Sequence, residues 1–294
     1  MNNWGVVIVL YNPNLNQLNL TLAQILPQTR QVALVNNGPS LQKEGIVLRP
    51  YELGDNKGIA YAQNYGVALL KKRNPNLEYV FFLDQDSEIS SSFFSSMLEA
   101  WQTTKTRYSN LAALSPKISR RTEKGNYSTL LFDQQGLHKR NVDFSQELLL
   151  INTLPISSGL LVSVDAFEKV GGLSEKWFID WVDFDFDLKL LTQGYTVATT
   201  GAASIIHEIG TPNRRNFLGK KIAVTNYVLF REYYTARNGV YLIRKYGRKG
   251  KGIAKYSLGQ IARRFIMLLY EPKKVRRFGT LMRGMLAGLV TSYD

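Results

Sequence analysis

Short apolar runs, each closed by a polar turn and followed by a stretch with helical spacing, recur through the first half of this 294-residue chain. That alternation marks βαβ units and restricts the chain to an α/β fold with a largely parallel sheet. Strands are predicted at Val6 to Tyr11, Val32 to Asn36, Ile46 to Leu48, Tyr79 to Leu83 and Leu111 to Ser115. Helices fall between them. Gly58 to Lys72 sets Ile59, Ala62, Gly66, Leu69 and Leu70 on one face, and Ser90 or Ser91 can cap a helix carrying Phe94, Met97, Leu98 and Trp101. In such doubly wound sheets ligands bind beyond the carboxyl ends of the strands, where Tyr11-Asn12, Asn36-Asn37 and Asp84-Asp86 all lie.

The last of these clusters carries the most chemistry. In a strand, residues i and i+2 point to one face, so Asp84 and Asp86 would both reach a point just past the sheet edge. Two carboxylates held there repel unless a cation neutralises them. Mg²⁺ and Mn²⁺ take oxygen ligands and join carboxylates to substrate phosphates, which suggests a metal-bridged nucleotide diphosphate. Acidic residues also end buried strands simply to meet solvent, so the pair alone does not decide.

An apolar content of 45% supports a sizeable core, and the absence of cysteine excludes disulfide scaffolds and thiolate metal sites. No signal peptide and no uninterrupted apolar run of spanning length is visible, so a cytoplasmic protein is expected. Charge is segregated. Residues 1 to 210 carry 18 Lys and Arg against 20 Asp and Glu, whereas residues 211 to 294 carry 19 against 3. A tail of net +16 asks for an anionic polymer or an anionic membrane, unless it is simply a solvated face.

Residues Lys117 to Gln146 read as polar loops, and periodicity resumes at Leu148 to Leu154 and Gly159 to Val164. A short helix from Asp165 to Gly171-Gly172 precedes the aromatic, acidic run Trp177 to Asp187. Strand-like Thr196 to Thr200 and Ser204 to Ile206 lead into His207, and residues 222 to 246 read as a helix.

Eight ordered elements then carry a resemblance: VVIVLYNP from Val6, VNNGP from Val35, GDNKGIAYAQN from Gly54, FLDQDS from Phe82, SSGLLVS from Ser157, WFIDWVDFDFDLKLLTQGY from Trp177, GAASIIHEIG from Gly201 and YYTARN from Tyr233. In these, across residues 4 to about 246, the chain resembles the family 2 glycosyltransferases, specifically the bacterial rhamnosyltransferase-like group. The resemblance implies a GT-A fold, a Rossmann-like mixed sheet, over residues 1 to 210. The donor half would span about 1 to 116 and the acceptor half about 147 to 210, with a basic helical region at 211 to 294.

It also implies roles. Leu10, Tyr11, Asn12, Asn36, Asn56, Gly58, Asp84 and Gln85 would bind the donor nucleotide, Asn36 pairing with the imide edge of a uracil or thymine where the family usually has Asp. Asp84, Asp86 and His207 would hold Mn²⁺ or Mg²⁺, the imidazole favouring Mn²⁺. Asn64, in the same motif as Gly58, either binds the donor or caps and packs the helix.

Inversion at an anomeric carbon needs a base for the acceptor hydroxyl, and the family's acidic motif places Asp183 there. Asp180, Trp181, Asp185 and Trp177 would contact the acceptor, unless the two acids cap the helix and the two tryptophans pack in the core, with Asp187 at the surface, and Arg231 or Arg237 could reach the diphosphate. The expected donor is dTDP-L-rhamnose and the acceptor a lipid-linked cell-surface saccharide; a galactofuranosyl or other hexosyl transferase using a UDP-sugar is the alternative. The segment Ile261 to Tyr270 mixes cations with large apolar residues, as an interfacial anchor on the anionic inner leaflet would. A nucleic-acid binder would leave the acidic edge unexplained, and a homo-oligomer is compatible with the sequence.

Overall fold

The computed structural model describes residues 3–41, 45–119, 127–206, 213–217, 219–225, 227–290 and 292. The chain forms two compact units. One takes in Met1–Leu131, Lys139–Phe178 and Val182–His207; the other takes in Phe132–His138, Ile179–Trp181 and Glu208–Asp294.

The first unit is built on an eight-stranded sheet. Its strands, with the intervening helices, are β1 (Trp4–Leu10), α1 (Leu15–Ile25), β2 (Val32–Asn36), β3 (Tyr51–Glu52), α2 (Ile59–Arg73), β4 (Tyr79–Asp84), α3 (Phe93–Arg107) and β5 (Leu111–Ser119). A hairpin follows, β6 (Tyr127–Asp133) and β7 (Gly136–Val142), whose turn belongs to the second unit. Then come β8 (Leu149–Ile151), β9 (Leu161–Ser163), α4 (Val164–Lys169), α5 (Val182–Thr192) and β10 (Thr196–Ile206). Strand order in the sheet is β3-β2-β1-β4-β9-β5-β10-β8. Strands β3, β2, β1 and β4 run parallel, as do β5 and β10, while β9 is antiparallel between β4 and β5 and β8 is antiparallel to β10. The sheet is therefore mixed, as a GT-A fold requires.

Every residue of β2 is buried and β1 is nearly so, which is why both read as continuous apolar runs. Trp4, Phe81, Phe93, Phe94 and Trp101 pack the face covered by α1 and α3, with Phe81 and Phe94 edge to face at 4.9 Å.

Three expectations fail here. Ile46 to Leu48 is not a strand; the short edge strand is Tyr51–Glu52, which pairs with Val35 and Asn36. The cap of α3 is Ser92, without a side-chain cap bond, rather than Ser90 or Ser91. The stretch from Lys117 to Gln146 is mostly not loop: β5 runs on to Ser119 and the hairpin covers Tyr127 to Val142, leaving a turn at Asp143 to Gln146. In β6 buried Thr129 and Leu131 alternate with more open neighbours, but β7 is buried only at its ends, at Gly136, Leu137 and Val142, and the polar run His138 to Asn141 between them hides the strand from the sequence.

The second unit holds β11 (Asn213–Phe217), β12 (Lys220–Val224), α6 (Leu229–Tyr246), α7 (Ile253–Met267) and α8 (Lys274–Val290). The predicted helix thus begins at Leu229, because Lys220–Val224 pairs with β11. Helices α6 and α8 approach closely: a Cβ at Gly284 or Gly288 would run into the Tyr233 or Arg237 carbonyl oxygen. Four charged side chains are buried together, Arg264 lying 2.9 Å from Glu232 and 3.2 Å from Glu271, with Arg277 bonded to both acids. Two cations against two anions neutralise one another, which makes their burial tolerable.

Candidate active site

Strand register gathers the first unit's polar clusters. Leu10 lies opposite Asn36 and Val9 opposite Asp84, so the carboxyl ends of β2, β1 and β4 finish side by side. Backbone bonds extend the alignment, with Asn37 N donating to Leu10 O at 2.8 Å.

Asp84 is the last residue of β4, but Asp86 is not in the strand. Gln85 and Asp86 form a turn closed by Ser87 N donating to Asp84 O at 3.2 Å, so the alternate-residue argument does not apply to the pair. The turn sets Asp84 half-buried at the sheet edge and Asp86 out in solvent. The Ser158 hydroxyl donates to Asp84 Oδ2, a contact invisible in the sequence until the β9 loop is folded against β4. Gln85 was expected at the nucleotide, yet its amide is turned to the backbone of Tyr11, accepting from Tyr11 N at 2.8 Å and donating to Tyr11 O at 3.2 Å. It fixes the end of β1 against the turn that carries Asp84.

The other expected donor contacts divide sharply. Tyr11 is 48% exposed, with its ring open to solvent beside Gly38, and Asn12 is exposed in a left-handed conformation. Leu10 is a core side chain whose carbonyl already serves Asn37. Asn36 is fully buried and spent on its own loop: Nδ2 donates to Pro39 O at 2.8 Å and to Glu52 at 2.6 Å, while Oδ1 accepts from Gly38 N. With its donors and acceptor so engaged, it is a loop-building residue and does not present an imide-reading edge. Asn37 and Asn56 shape the next turn, through Asn37 Oδ1 accepting from Lys57 N at 2.8 Å and Asn56 Oδ1 accepting from Gly58 N at 3.0 Å.

Gly58 has a different partner from the one expected. Its φ is 88°, and an added Cβ would lie 2.7 Å from the Phe178 carbonyl oxygen, which accepts from Ile59 N at 2.8 Å. The glycine admits the backbone before the acidic helix, where a nucleotide was foreseen. Asn64 is likewise structural, bonded to Leu173 N and O and to Glu175.

Along the acidic run burial deepens into the helix, Asp183 and Asp187 lying one turn apart on the same side. Asp183 is half-buried near the start of α5, whereas Asp185 and Asp187 are fully buried. Asp185 therefore does not meet an acceptor, and Asp187 is the reverse of a surface residue. The Asp187 oxygens have no hydrogen-bond partner among the described residues. Burial, reinforced by Asp183 one turn earlier, pushes the Asp187 carboxyl well above the ordinary carboxylate range. Trp177 is fully buried too, so it is core and not an acceptor platform.

In the second unit, Phe178's neighbours Asp180 and Trp181 both hold positive φ, 59° and 65°. Non-glycine residues in this region cost energy and persist where the surroundings over-determine them. Helix α6 supplies that restraint. Arg231 donates to both Asp180 oxygens at 2.8–3.2 Å, Thr235 adds a hydroxyl at 2.8 Å, and Asn238 Nδ2 donates to the carbonyls of Ile179 at 2.8 Å and Asp180 at 3.0 Å. Trp181 Nε1 donates to Thr235 O, and its ring meets Tyr256 edge on. The Asp180 carboxylate is thus consumed by the fold, and Arg231, proposed for a diphosphate, is paired with it. Arg237 lies over Tyr234 and donates to Asn238 Oδ1. The YYTARN segment, read from sequence as part of a resemblance, acts here as the clamp on Ile179 to Trp181. His207 lies outside the described residues.

No family model matches the chain. It is 29% identical over 248 residues to dTDP-rhamnosyl transferase RfbF of Shigella flexneri, covering 81% of this chain and 79% of that protein. In fold it is similar to GalNAc-T7, solved with UDP, GalNAc and Mn²⁺, at a TM-score of 0.55 and 14% identity, over 82% of this chain and 51% of that one. It is also similar to TarS of S. aureus, at 0.50 and 12%, over 87% and 41%. The chain spans about half, or less, of the length of these two structural neighbours.

Proposed function

We propose that this chain, a rhamnosyltransferase-like glycosyltransferase of the GT-A fold, transfers L-rhamnose from dTDP-L-rhamnose to a hydroxyl of a lipid-linked saccharide, with inversion. The similarity to a dTDP-rhamnosyl transferase over 81% of the chain carries this reading. The alignment of the carboxyl ends of β1 and β4, which brings Tyr11 and Asp84 to one sheet edge, supports it.

Tyr11, exposed beside Gly38, offers a ring for the nucleotide base, and Asn12 backs it. Asp84 and Asp86 would hold a divalent cation. A hard carboxylate at the sheet edge and a second on the turn after it suit Mg²⁺ or Mn²⁺, and GalNAc-T7, similar in fold, was solved with Mn²⁺. Among the described residues no three ligating side chains come together, so phosphate oxygens and water would complete the shell, with His207 a further ligand. When bound, such an ion stabilises the charge that develops on the departing diphosphate. Ser158 orients Asp84 for that task.

Asp183 is the base. As the acceptor oxygen forms its bond to the anomeric carbon, the bond from that carbon to the diphosphate oxygen breaks, the electron pair leaves with dTDP, and the acceptor proton passes to the Asp183 carboxylate. Burial holds the Asp187 carboxyl, one turn along, well above the ordinary carboxylate range, which disfavours a second negative charge beside Asp183. The enzyme would work at the anionic inner face of the cell membrane, where such acceptors reside.

Asp183→Asn keeps the shape and removes the base. Transfer, followed as dTDP release with a lipid extract as acceptor, should fall about 10²- to 10⁴-fold while dTDP affinity is unchanged. Near-normal transfer by this variant would remove Asp183 from the role.

A further inference from the structure

Helix α8 is apolar on two opposite faces. At 3.6 residues per turn, Leu281, Gly284 and Gly288 share one face with Arg277 and are buried within the second unit. Roughly opposite them, Val275, Phe278, Met282, Leu286 and Leu289 recur at spacings of three or four residues and are all exposed, Val275 at 87% and Leu286 at 59%. A stripe of this extent in solvent marks an interaction surface. Of the expected anchor, Ile261 to Tyr270 on and after α7, Ile261, Met267 and Leu268 are buried, Phe265 and Ile266 are half-buried, and Leu269 and Tyr270 are exposed. The longer exposed apolar stripe is one helix further on.

Beside this stripe α6 and α8 enclose an open groove of about 480 Å³, lined by Leu229, Phe230 and Tyr233 on one side and Arg276, Thr280 and Arg283 on the other. Both guanidinium groups are exposed, and no ion pair engages either among the described residues. Neither α7 nor α8 contains an acidic residue, and Glu271 between them is buried with Arg264 and Arg277. The groove and the stripe beside it thus carry cations and apolar groups but no acid.

We infer that α8 lies on an anionic phospholipid surface, its Val275-to-Leu289 stripe immersed among the acyl chains and a lipid phosphate seated between Arg276 and Arg283. Charge selects this occupant. A second copy docked on the same face would oppose Lys273, Lys274, Arg276 and Arg283 to themselves with no acid to answer them. A nucleic acid would answer the cations and leave the apolar stripe in water. No helix of the described residues is long and apolar enough to cross a membrane, so the fit is to a helix lying in the interface. This inference deepens the membrane-surface part of the proposed function, and its binding test needs neither donor nor acceptor, so it stands or falls separately from sugar transfer.

The test is co-sedimentation of the full chain with phosphatidylglycerol–phosphatidylcholine vesicles against pure phosphatidylcholine, at two salt concentrations. Binding should require the anionic lipid and weaken with salt. The double variant Arg276→Ala/Arg283→Ala should partition about 30-fold more weakly, from about 1 kcal/mol per cation. Phe278→Gln/Leu286→Gln should weaken binding at both salt concentrations. All four side chains are exposed, and unchanged thermal melts would confirm intact folding. Absence of vesicle binding, or binding indifferent to both double variants, would overturn the inference. So would competition by millimolar inorganic phosphate that abolishes vesicle binding at constant ionic strength, since the groove would then serve a free phosphate. Light scattering that showed a dimer dispersed by Phe278→Gln/Leu286→Gln would overturn it as well, in favour of a second copy.

Discussion

Replacing Gly58 by alanine should destabilise the first unit more than its conformation alone accounts for. Gly58 sits at φ 88° and ψ 158°, a region essentially restricted to glycine, where a side chain costs about 1–3 kcal/mol. The new Cβ would also stand 2.7 Å from Phe178 O and 2.8 Å from Phe178 Cα, both backbone atoms with no flexible end to yield. Relieving that overlap means separating α2 from Phe178 and losing the Ile59 N to Phe178 O bond, about 1 kcal/mol more with the packing around it. The total, about 2–4 kcal/mol, is a large part of the 5–15 kcal/mol typical of a folded domain. Gly54 provides the control, with φ 82° and nothing within 4 Å of an added Cβ, so Gly54→Ala carries only the conformational cost of about 1–2 kcal/mol. Urea unfolding of the two variants should differ by about 1–2 kcal/mol. Equal losses would mean that the Phe178 contact contributes nothing and that glycine is kept at position 58 for its backbone alone.

The clamp on Ile179 to Trp181 can be read through tryptophan, because Trp4, Trp101 and Trp177 are buried and Trp181 is the partly exposed one. Thr235→Val or Asp180→Asn should raise acrylamide quenching and lower transfer while dTDP affinity holds; unchanged quenching would deny the clamp its role. Glu271→Gln leaves Arg264 and Arg277 with one acid between them, and should cost about 3–5 kcal/mol in a denaturant melt. Asp187 gives a pH prediction with a definite sign. Because its carboxyl is raised in the fold, its contribution to stability is present below the unfolded value of about 3.9 and is lost as pH rises through the folded value. Asp187→Asn should therefore melt higher than the parent chain near pH 7.5, with the gap shrinking toward pH 4; a gap constant with pH would show Asp187 ionised in the fold.

Much of this architecture was legible because strands buried on both faces leave unmistakable apolar runs. Val32–Asn36 has the bounds that its sequence suggests, and Tyr79–Asp84 extends the predicted strand by a single residue. Asp84 could be placed at the sheet edge for the same reason. What escaped was set by tertiary contact. Nothing local tells that Asn36 will be filled by Glu52 and Pro39, that Asp180 will meet Arg231, or that Gly58 makes room for Phe178 and not for a ligand. Asp185 and Asp187 misled because an acidic residue is ordinarily solvated, and only the apolar neighbours Phe186, Leu188 and Leu190 hint that their part of α5 is interior. Ser158 carried a weak signal, a paired serine before Gly159 in a run otherwise apolar.

Calorimetric titration of the intact chain with dTDP and with UDP, each with and without Mn²⁺, addresses the central claim most directly. The account expects dTDP to bind more tightly than UDP, with binding that requires the metal and is lost in Asp84→Ala. Preference for UDP would contradict the rhamnosyl donor and point to a hexosyl or galactofuranosyl transferase, and failure of either nucleotide to bind would contradict the assignment of the β1–β4 sheet edge as a donor site.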